Sequence, residues 1–98
     1  MAFKVIWSEA AANELDDICS YIAQDDPEAA VGVARGIVAH VDLLASFPLI
    51  GPVYQRGSLK NLRLIVFRSY RILYVVDETR EAVKIAHIQH GARDEVPS

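Results

Sequence analysis

Residues 62–88 read LRLIVFRSYRILYVVDETREAVKIAHI, and the pattern in this stretch decides the fold. Apolar side chains alternate through three short runs rich in β-branched and aromatic residues, which is typical of strands. The runs span 62–67, 70–76 and 83–88. A two-residue connection at 68–69 and a polar turn at 77–81 separate them. Because connections this short join antiparallel neighbours, the sequence predicts a three-stranded antiparallel meander.

The first quarter of the chain predicts a strand followed by a helix. Residues 3–7, FKVIW, are short, aromatic and β-branched, as strands are. Ser8 is a favourable N-cap for a helix from about Glu9 to Gln24. Its apolar stripe has helical spacing and consists of Ala11, Leu15, Ile18 and Ile22.

A second helix follows after a two-residue connection. Asp26 is the predicted N-cap, and Pro27 occupies the first helical position, where its missing N–H costs nothing. The helix ends at Phe47-Pro48, and its predicted buried stripe is Ala30, Ala34, Ile37, Val41 and Leu44. Gly32 and Gly36 lie four residues apart inside it, and we interpret them as sites of close packing against the first helix.

The resulting order is β-α-α-β-β-β, an α+β fold within one domain of residues 1–98. We expect the helical hairpin to pack on one face of a four-stranded, mainly antiparallel sheet with the first strand at an edge. Residues 49–60 contain Gly51, Pro52 and Gly57 and are predicted to form a loop. Residues 90–98 are too polar and too few for a further core element.

Composition excludes several classes of protein. Of the 98 residues, 52% are hydrophobic, so a disordered chain is excluded. No stretch reaches the ~20 apolar residues that span a bilayer, and the N-terminus lacks the apolar region of a signal peptide. Cys19 is the only cysteine, so no internal disulfide forms. These features predict a soluble, cytoplasmic protein without a membrane partner.

Charge is unevenly distributed along the chain. Residues 1–50 hold eight acidic and two basic residues, a net charge of −6, whereas residues 51–98 hold eight basic and five acidic residues, a net charge of +3. The overall charge of −3 argues against non-specific nucleic-acid binding, which favours basic domains. The overall charge does not exclude a local anion-binding site in the second half of the chain.

The chain resembles the RelE/ParE superfamily of toxins from type II toxin–antitoxin modules over nearly its whole length. Residues 11–23 are similar to the superfamily pattern A-x-x-D/E-L-x-x-I-x-x-Y-I, and residues 70–74 to Y-R-I/V-x-Y. The segments that carry the resemblance are 11–23 (AANELDDICSYIA), 26–30 (DPEAA), 47–51 (FPLIG), 70–74 (YRILY), 83–85 (VKI) and 90–94 (HGARD). The HGARD segment is closer to the ParE branch than to the RelE branch.

The resemblance implies a toxin of a plasmid-stabilisation module that inhibits DNA gyrase and is neutralised by a cognate antitoxin in a complex of two or more chains. Such a protein is an enzyme inhibitor and not itself an enzyme. Its target-binding candidates are Arg63, Arg68, Arg71, His90 and Arg93.

The resemblance to RelE implies an alternative, a ribosome-dependent mRNA endonuclease. That reaction needs a proton acceptor, a proton donor and cations around one phosphate. Candidates are His90, Arg71, Arg63 and Arg93. The net acidity, the single lysine between residues 51 and 76 and the lack of a tyrosine after His90 favour the gyrase hypothesis. A histidine in or after a strand is also typical of a structural hydrogen bond.

A further alternative is a non-toxic relative that only binds its antitoxin. In every case we expect an antitoxin segment to fold onto the toxin by strand addition or as a helix in a groove. The predicted antitoxin contacts are Leu15, Ile18, Val31 and Val38. No spacing of His, Cys, Asp or Glu predicts a metal site, and no cofactor is expected.

Overall fold

The computed structural model describes residues 2–54 and 61–91, which form two helices and four strands. The order matches the predicted α+β arrangement, with the helical hairpin packed on one face of the sheet. The elements are β1 (Lys4–Trp7), α1 (Glu9–Ala23), α2 (Pro27–Ser46), β2 (Leu62–Phe67), β3 (Tyr70–Asp77) and β4 (Ala82–His90).

Both helices begin at the predicted caps. The Ser8 side-chain oxygen accepts a hydrogen bond from the Ala11 amide at 3.0 Å, and its hydroxyl donates to the Ala86 carbonyl at 2.9 Å. Asp26 accepts from the Ala29 amide at 3.1 Å. Each cap satisfies an N–H that the first helical turn leaves unpaired, and Ser8 also ties the start of α1 to β4.

The strands form one sheet in the order β1-β4-β3-β2. β2 pairs with β3, and β3 with β4, in antiparallel fashion, while β1 lies parallel to β4 at the edge. β1 is parallel because the helical hairpin carries the chain across the sheet before the meander begins. The expected mainly antiparallel sheet with its first strand at an edge is therefore confirmed.

β4 differs from the simple alternation predicted for residues 83–88. Leu73 of β3 lies opposite His87, but the next residue of β3, Tyr74, lies opposite Ile85, so the pairing skips one residue of β4. Ala86 is thus the extra residue of a β-bulge, and a bulge moves the following side chains to the other face. His90 lies within β4, not beyond it as the sequence predicted.

The core lies between the helices and one face of the sheet, which we call the helix face; the opposite one is the outer face. α2 contributes the buried residues Ala30, Val33, Ile37, Val41 and Leu44, so Val33 takes the place predicted for the half-buried Ala34. The sheet contributes Tyr70, Ile72, Tyr74, Val83, Ile85 and Ile88, and the α1 stripe packs against this cluster.

α2 is long and apolar enough to cross a membrane by length and composition alone, with a mean hydropathy of 1.4, although the sequence analysis found no such stretch. Its buried stripe packs on the sheet, as in the core helix of a globular domain.

The two helical glycines have different surroundings, and neither packs against α1 as predicted. A Cβ on Gly32 would meet nothing within 4 Å, whereas a Cβ on Gly36 would overlap the ring of Phe67 on β2. The close approach at Gly36 therefore joins α2 to the edge of the sheet. The spacing alone could not distinguish a helix partner from a strand partner.

Candidate functional site

The register of β2 and β3 separates two of the predicted target-binding arginines. Arg63 lies opposite Tyr74, and Arg71 lies opposite Val66. Directly opposed residues point to the same side of a sheet, and Tyr74 belongs to the core. Arg63 is therefore on the helix face and Arg71 on the outer face.

Arg63 holds the segment that follows α2. Its Nη1 donates to the Gly51 carbonyl at 2.6 Å and to the Leu49 carbonyl at 3.3 Å. The Gly51 amide in turn donates to the buried hydroxyl of Tyr74 at 2.9 Å. Burial raises the pKa of Tyr74 above its ordinary value. These contacts give Arg63 a structural task and leave less of its guanidinium for a target.

Arg68 occupies the two-residue turn between β2 and β3 and is exposed. Its φ is 57°, in the left-handed region that glycine tolerates best. The guanidinium carbon lies 4.9 Å from the centroid of the Phe67 ring, within the range of a cation–π contact. Arg68 thus presents a charge at the end of the β2–β3 hairpin, where a partner can reach it.

Arg71 lies on the outer face beside a tyrosine that the sequence analysis did not single out. Its Nη1 is 3.5 Å from the hydroxyl oxygen of Tyr54, at the outer limit of a hydrogen bond. Leu73, two residues along the same face, is only 4% exposed. Arg71 and Tyr54 therefore form a polar site next to the buried side chain of Leu73.

His90 is on the helix face, away from Arg71. Its ring packs edge-on against Tyr70 with a centroid distance of 5.0 Å, and its Nδ1 is buried without a hydrogen-bond partner among the described residues. The ring borders a cleft of about 450 Å³. The other lining residues of this cleft are Asp17, Ile18, Tyr21, Ile22 and Tyr70. His90 and Arg71 therefore do not share a phosphate-sized site.

His87, by contrast, is held by α1 at the edge of β4. Glu14 accepts the Ile88 amide at 2.8 Å, and its carboxylate lies 3.2 Å from His87 Nδ1. The pairing of β1 with β4 ends at Trp7, opposite Ile85. Glu14 therefore provides the hydrogen-bond acceptor for the Ile88 amide, which β1 does not reach. A long-range contact of this kind leaves no signal in the sequence.

The predicted antitoxin contacts divide between two environments. Leu15 and Ile18 are half-buried and pack against the core. Val31 and Val38 are exposed on α2, 49% and 40% respectively. The structure does not bring all four onto one exposed surface. Arg93 lies outside the described residues.

Metal-ligand types do not cluster within residues 2–54 and 61–91, where no group of three or more His, Cys, Asp or Glu could hold an ion. Cys19 is half-buried, and burial, followed by the nearby Asp16 carboxylate, raises the pKa of its thiol. The protonated thiol is a poor nucleophile.

The architecture is that of a known class of protein, the RelE/ParE-like toxins. Residues 5–95 match the family described as “ParE toxin of type II toxin-antitoxin system, parDE”. The chain belongs to this family of type II toxin–antitoxin toxins. It is also 34% identical over 86 residues to a Sinorhizobium fredii protein named “Putative toxin Y4kP”, with 86% of each chain covered.

Solved structures share the fold at low sequence identity. The chromosomal ParDE system of Pseudomonas aeruginosa superposes with a TM-score of 0.74 at 21% identity, covering 91% of this chain and 96% of that one. The RelBE2 toxin–antitoxin complex of Mycobacterium tuberculosis gives 0.68 at 20% identity and 92% coverage of both chains. The free Escherichia coli toxin RelE, in a doubly substituted form, gives 0.68 at 21% identity, covering 97% and 88%.

Proposed function

We propose that this protein inhibits DNA gyrase and that a cognate antitoxin neutralises it by forming a complex with it. The observation that carries the proposal is the separation of the three predicted catalytic residues that the structure describes. Arg63 and His90 lie on the helix face, and Arg71 lies on the outer face. Cleavage of a phosphodiester bond requires acid, base and cations around one phosphate, whereas inhibition by binding requires only a complementary surface.

Arg68 and Arg71 supply the target-binding charge in this proposal. Arg68 is exposed in the hairpin turn, and Arg71 is half-buried on the neighbouring outer face. Binding surfaces concentrate their energy in a few residues, among which arginine is enriched. We therefore expect Arg71→Ala to weaken gyrase inhibition about tenfold or more.

The test compares two reactions with one protein preparation. Purified protein is added to gyrase, relaxed or supercoiled DNA and ATP, and in parallel to a translating extract with labelled mRNA. Arg80→Ala is the matched control, because the Arg80 side chain is 84% exposed in the turn between β3 and β4. We expect gyrase inhibition by the wild type and by Arg80→Ala, weakened inhibition by Arg71→Ala, and intact mRNA.

One observation favours the alternative of an mRNA endonuclease. Arg71, Tyr54 and His87 belong to the outer face or its margin, so a cation and two groups able to transfer protons lie on one side of the sheet. If mRNA is cut, and Tyr54→Phe or His87→Gln abolishes the cuts while gyrase is unaffected, the endonuclease replaces the gyrase inhibitor. A protein without effect in either reaction is the non-toxic relative.

A further inference from the structure

α2 carries a largely apolar surface on the side opposite its buried stripe. Only five of its twenty residues are buried, although its mean hydropathy is 1.4. A helix that is apolar on all sides is normally buried on all sides, so this exposed side has the composition of an interface. Its residues, which we call the outward face of α2, are Val31, Arg35, Val38, Ala39 and Asp42, all of them exposed.

The outward face is shaped to receive another helix. A shallow depression of about 410 Å³ follows α2 along two turns. The residues that line it are Ala34, Arg35, Val38, Ala39 and Asp42. Val38 is 40% exposed, and the alanines on either side of it project little from the helix. Small side chains at a contact let two helix axes approach to about 8–10 Å.

The charged residues of α2 lie seven residues apart, at Glu28, Arg35 and Asp42. Seven residues are nearly two helical turns, so these charges form one line along the helix. A helix places ion-pair partners three or four residues apart, and neither Arg35 nor Asp42 has an opposite charge at that distance in the sequence. Within residues 2–54 and 61–91 neither of them forms an ion pair. Both charges are therefore available to another molecule.

A second copy of α2 in antiparallel orientation supplies the opposite charges. If Val38 lies opposite Ala39 of the copy, then Arg35 lies opposite Asp42 of the copy, and the two-fold symmetry repeats both contacts. A parallel copy would instead place Arg35 opposite Arg35. A two-fold contact of this kind joins the same patch on both chains and closes as a dimer. The charge pattern therefore selects the antiparallel arrangement.

Two other arrangements fit the charges less well. A lipid bilayer would have to accommodate Arg35 and Asp42 in the middle of the helix, which is costly. A different antiparallel register pairs Glu28 with Arg35, but the two helices then overlap only over residues 27–36. The register that pairs Arg35 with Asp42 overlaps over residues 31–46 and buries Val31 and Val38 as well.

We propose that the outward face of α2 is a contact between two copies of this chain, which form an antiparallel, two-fold symmetric dimer. The overlap is about 24 Å long and a helix is about 10 Å wide. Such a contact buries less than the roughly 1,200 Å² of a stable complex. We therefore expect a dimer that dissociates readily, with a Kd between about 1 μM and 1 mM. This inference does not depend on the target of the toxin.

Sedimentation velocity of the full chain without antitoxin tests the dimer. The concentration is raised to about 1 mM, at which even a Kd of that size populates the dimer. We expect the average mass of the wild type to rise with concentration towards that of two chains. Arg35→Glu, which faces like charge in the partner, should weaken association tenfold or more, and so should Asp42→Arg, because like charges across an interface are strongly unfavourable.

The charge-reversed double variant identifies the pairing. Arg35→Glu combined with Asp42→Arg exchanges the two charges, so we expect it to associate within a fewfold of the wild type. Glu28→Arg is the matched control, because Glu28 lies on the same line of the helix but outside the overlap; it should associate within twofold of the wild type. Circular dichroism at low concentration, where the chains are monomers, confirms that each variant is folded.

Four results overturn the proposal. The wild type stays monomeric up to about 1 mM, the double variant fails to recover association, or Glu28→Arg dissociates the dimer and so assigns the other register. In the fourth, the free chain binds phosphatidylcholine vesicles and Val38→Glu abolishes that binding, which assigns the face to a membrane. A monomeric wild type whose antitoxin binding is lost in Val38→Glu assigns the face to the antitoxin, as the sequence analysis predicted. A failure to inhibit gyrase leaves the dimer unaffected.

Discussion

Gly32 and Gly36 allow a paired substitution in which the same chemical change has opposite expected effects. Replacing a glycine inside a helix by alanine stabilises the helix by about 1 kcal/mol. At Gly32 the new methyl group enters open space, so Gly32→Ala keeps this gain. At Gly36 it overlaps the ring of Phe67, and overpacking of this kind costs roughly 1–3 kcal/mol. Gly36→Ala should therefore be neutral or destabilising by up to about 2 kcal/mol.

Thermal unfolding followed by circular dichroism measures the difference. For a domain of this size, 1 kcal/mol corresponds to a shift in Tm of roughly 4–8 °C. We expect Gly32→Ala to raise Tm by about that amount and Gly36→Ala to leave it unchanged or lower it. Gly36→Leu should cost more than Gly36→Ala, because its larger side chain displaces Phe67 further.

A second-site change identifies the cause. Phe67→Leu removes the ring atoms nearest to Gly36, so in that background Gly36→Ala should regain part of the helix-propensity gain. If Gly36→Ala raises Tm as much as Gly32→Ala in the wild-type background, α2 does not approach β2 as closely as described, and the reasoning is refuted.

Substitutions at three other positions test features that support the sheet. Tyr74→Phe removes the acceptor of the Gly51 amide and should lower the free energy of unfolding by about 1–3 kcal/mol in urea. Burial raises the pKa of Tyr74, so the folded state keeps the phenol proton to higher pH than the unfolded state does. The stability of the wild type should therefore fall as the pH rises above about 10. Tyr74→Phe has no phenol proton, so its stability should lack this decrease. Glu14→Ala should cost about 1–3 kcal/mol by leaving the Ile88 amide unpaired, and Glu14→Gln, which keeps an acceptor, should cost less. Arg68→Gly should raise Tm by relieving about 1 kcal/mol of left-handed strain while weakening gyrase inhibition; a fall in Tm would contradict the strain.

Local signals account for the parts of the fold that the sequence predicted. Ser8, Asp26 and Pro27 mark helix starts by interactions within one turn, and the apolar stripes fix which face of each helix is buried. The positions of Arg63 and Arg71 were also accessible in principle. A two-residue turn at 68–69 sets the pairing of Phe67 with Tyr70, and counting back along the strands puts the two arginines on opposite faces.

The remaining features depend on contacts between distant segments. The bulge at Ala86 contains no glycine, which is the usual sequence signal for a bulge, so the predicted alternation assigned His87 and Ile88 to the wrong faces of the sheet. Gly36 meets Phe67, which lies 31 residues further along the chain, and Glu14 meets Ile88 across 74 residues. An apolar groove between α2 and β2, lined by His40, Leu43 and Val66 among others, forms only when the sheet edge reaches α2, so its residues look like ordinary helix and strand positions in the sequence.

The position of β4 has a consequence for the synthesis of the protein. β4 is the last strand of the described chain to leave the ribosome, yet it lies between β1 and β3. Until it arrives, β1 has no strand to pair with, and the hydrogen bond from Ser8 to Ala86, 78 residues apart, cannot form. Partners so distant in sequence meet slowly. A growing chain therefore lacks the completed sheet, and the protein reaches its folded form only after β4 has been translated.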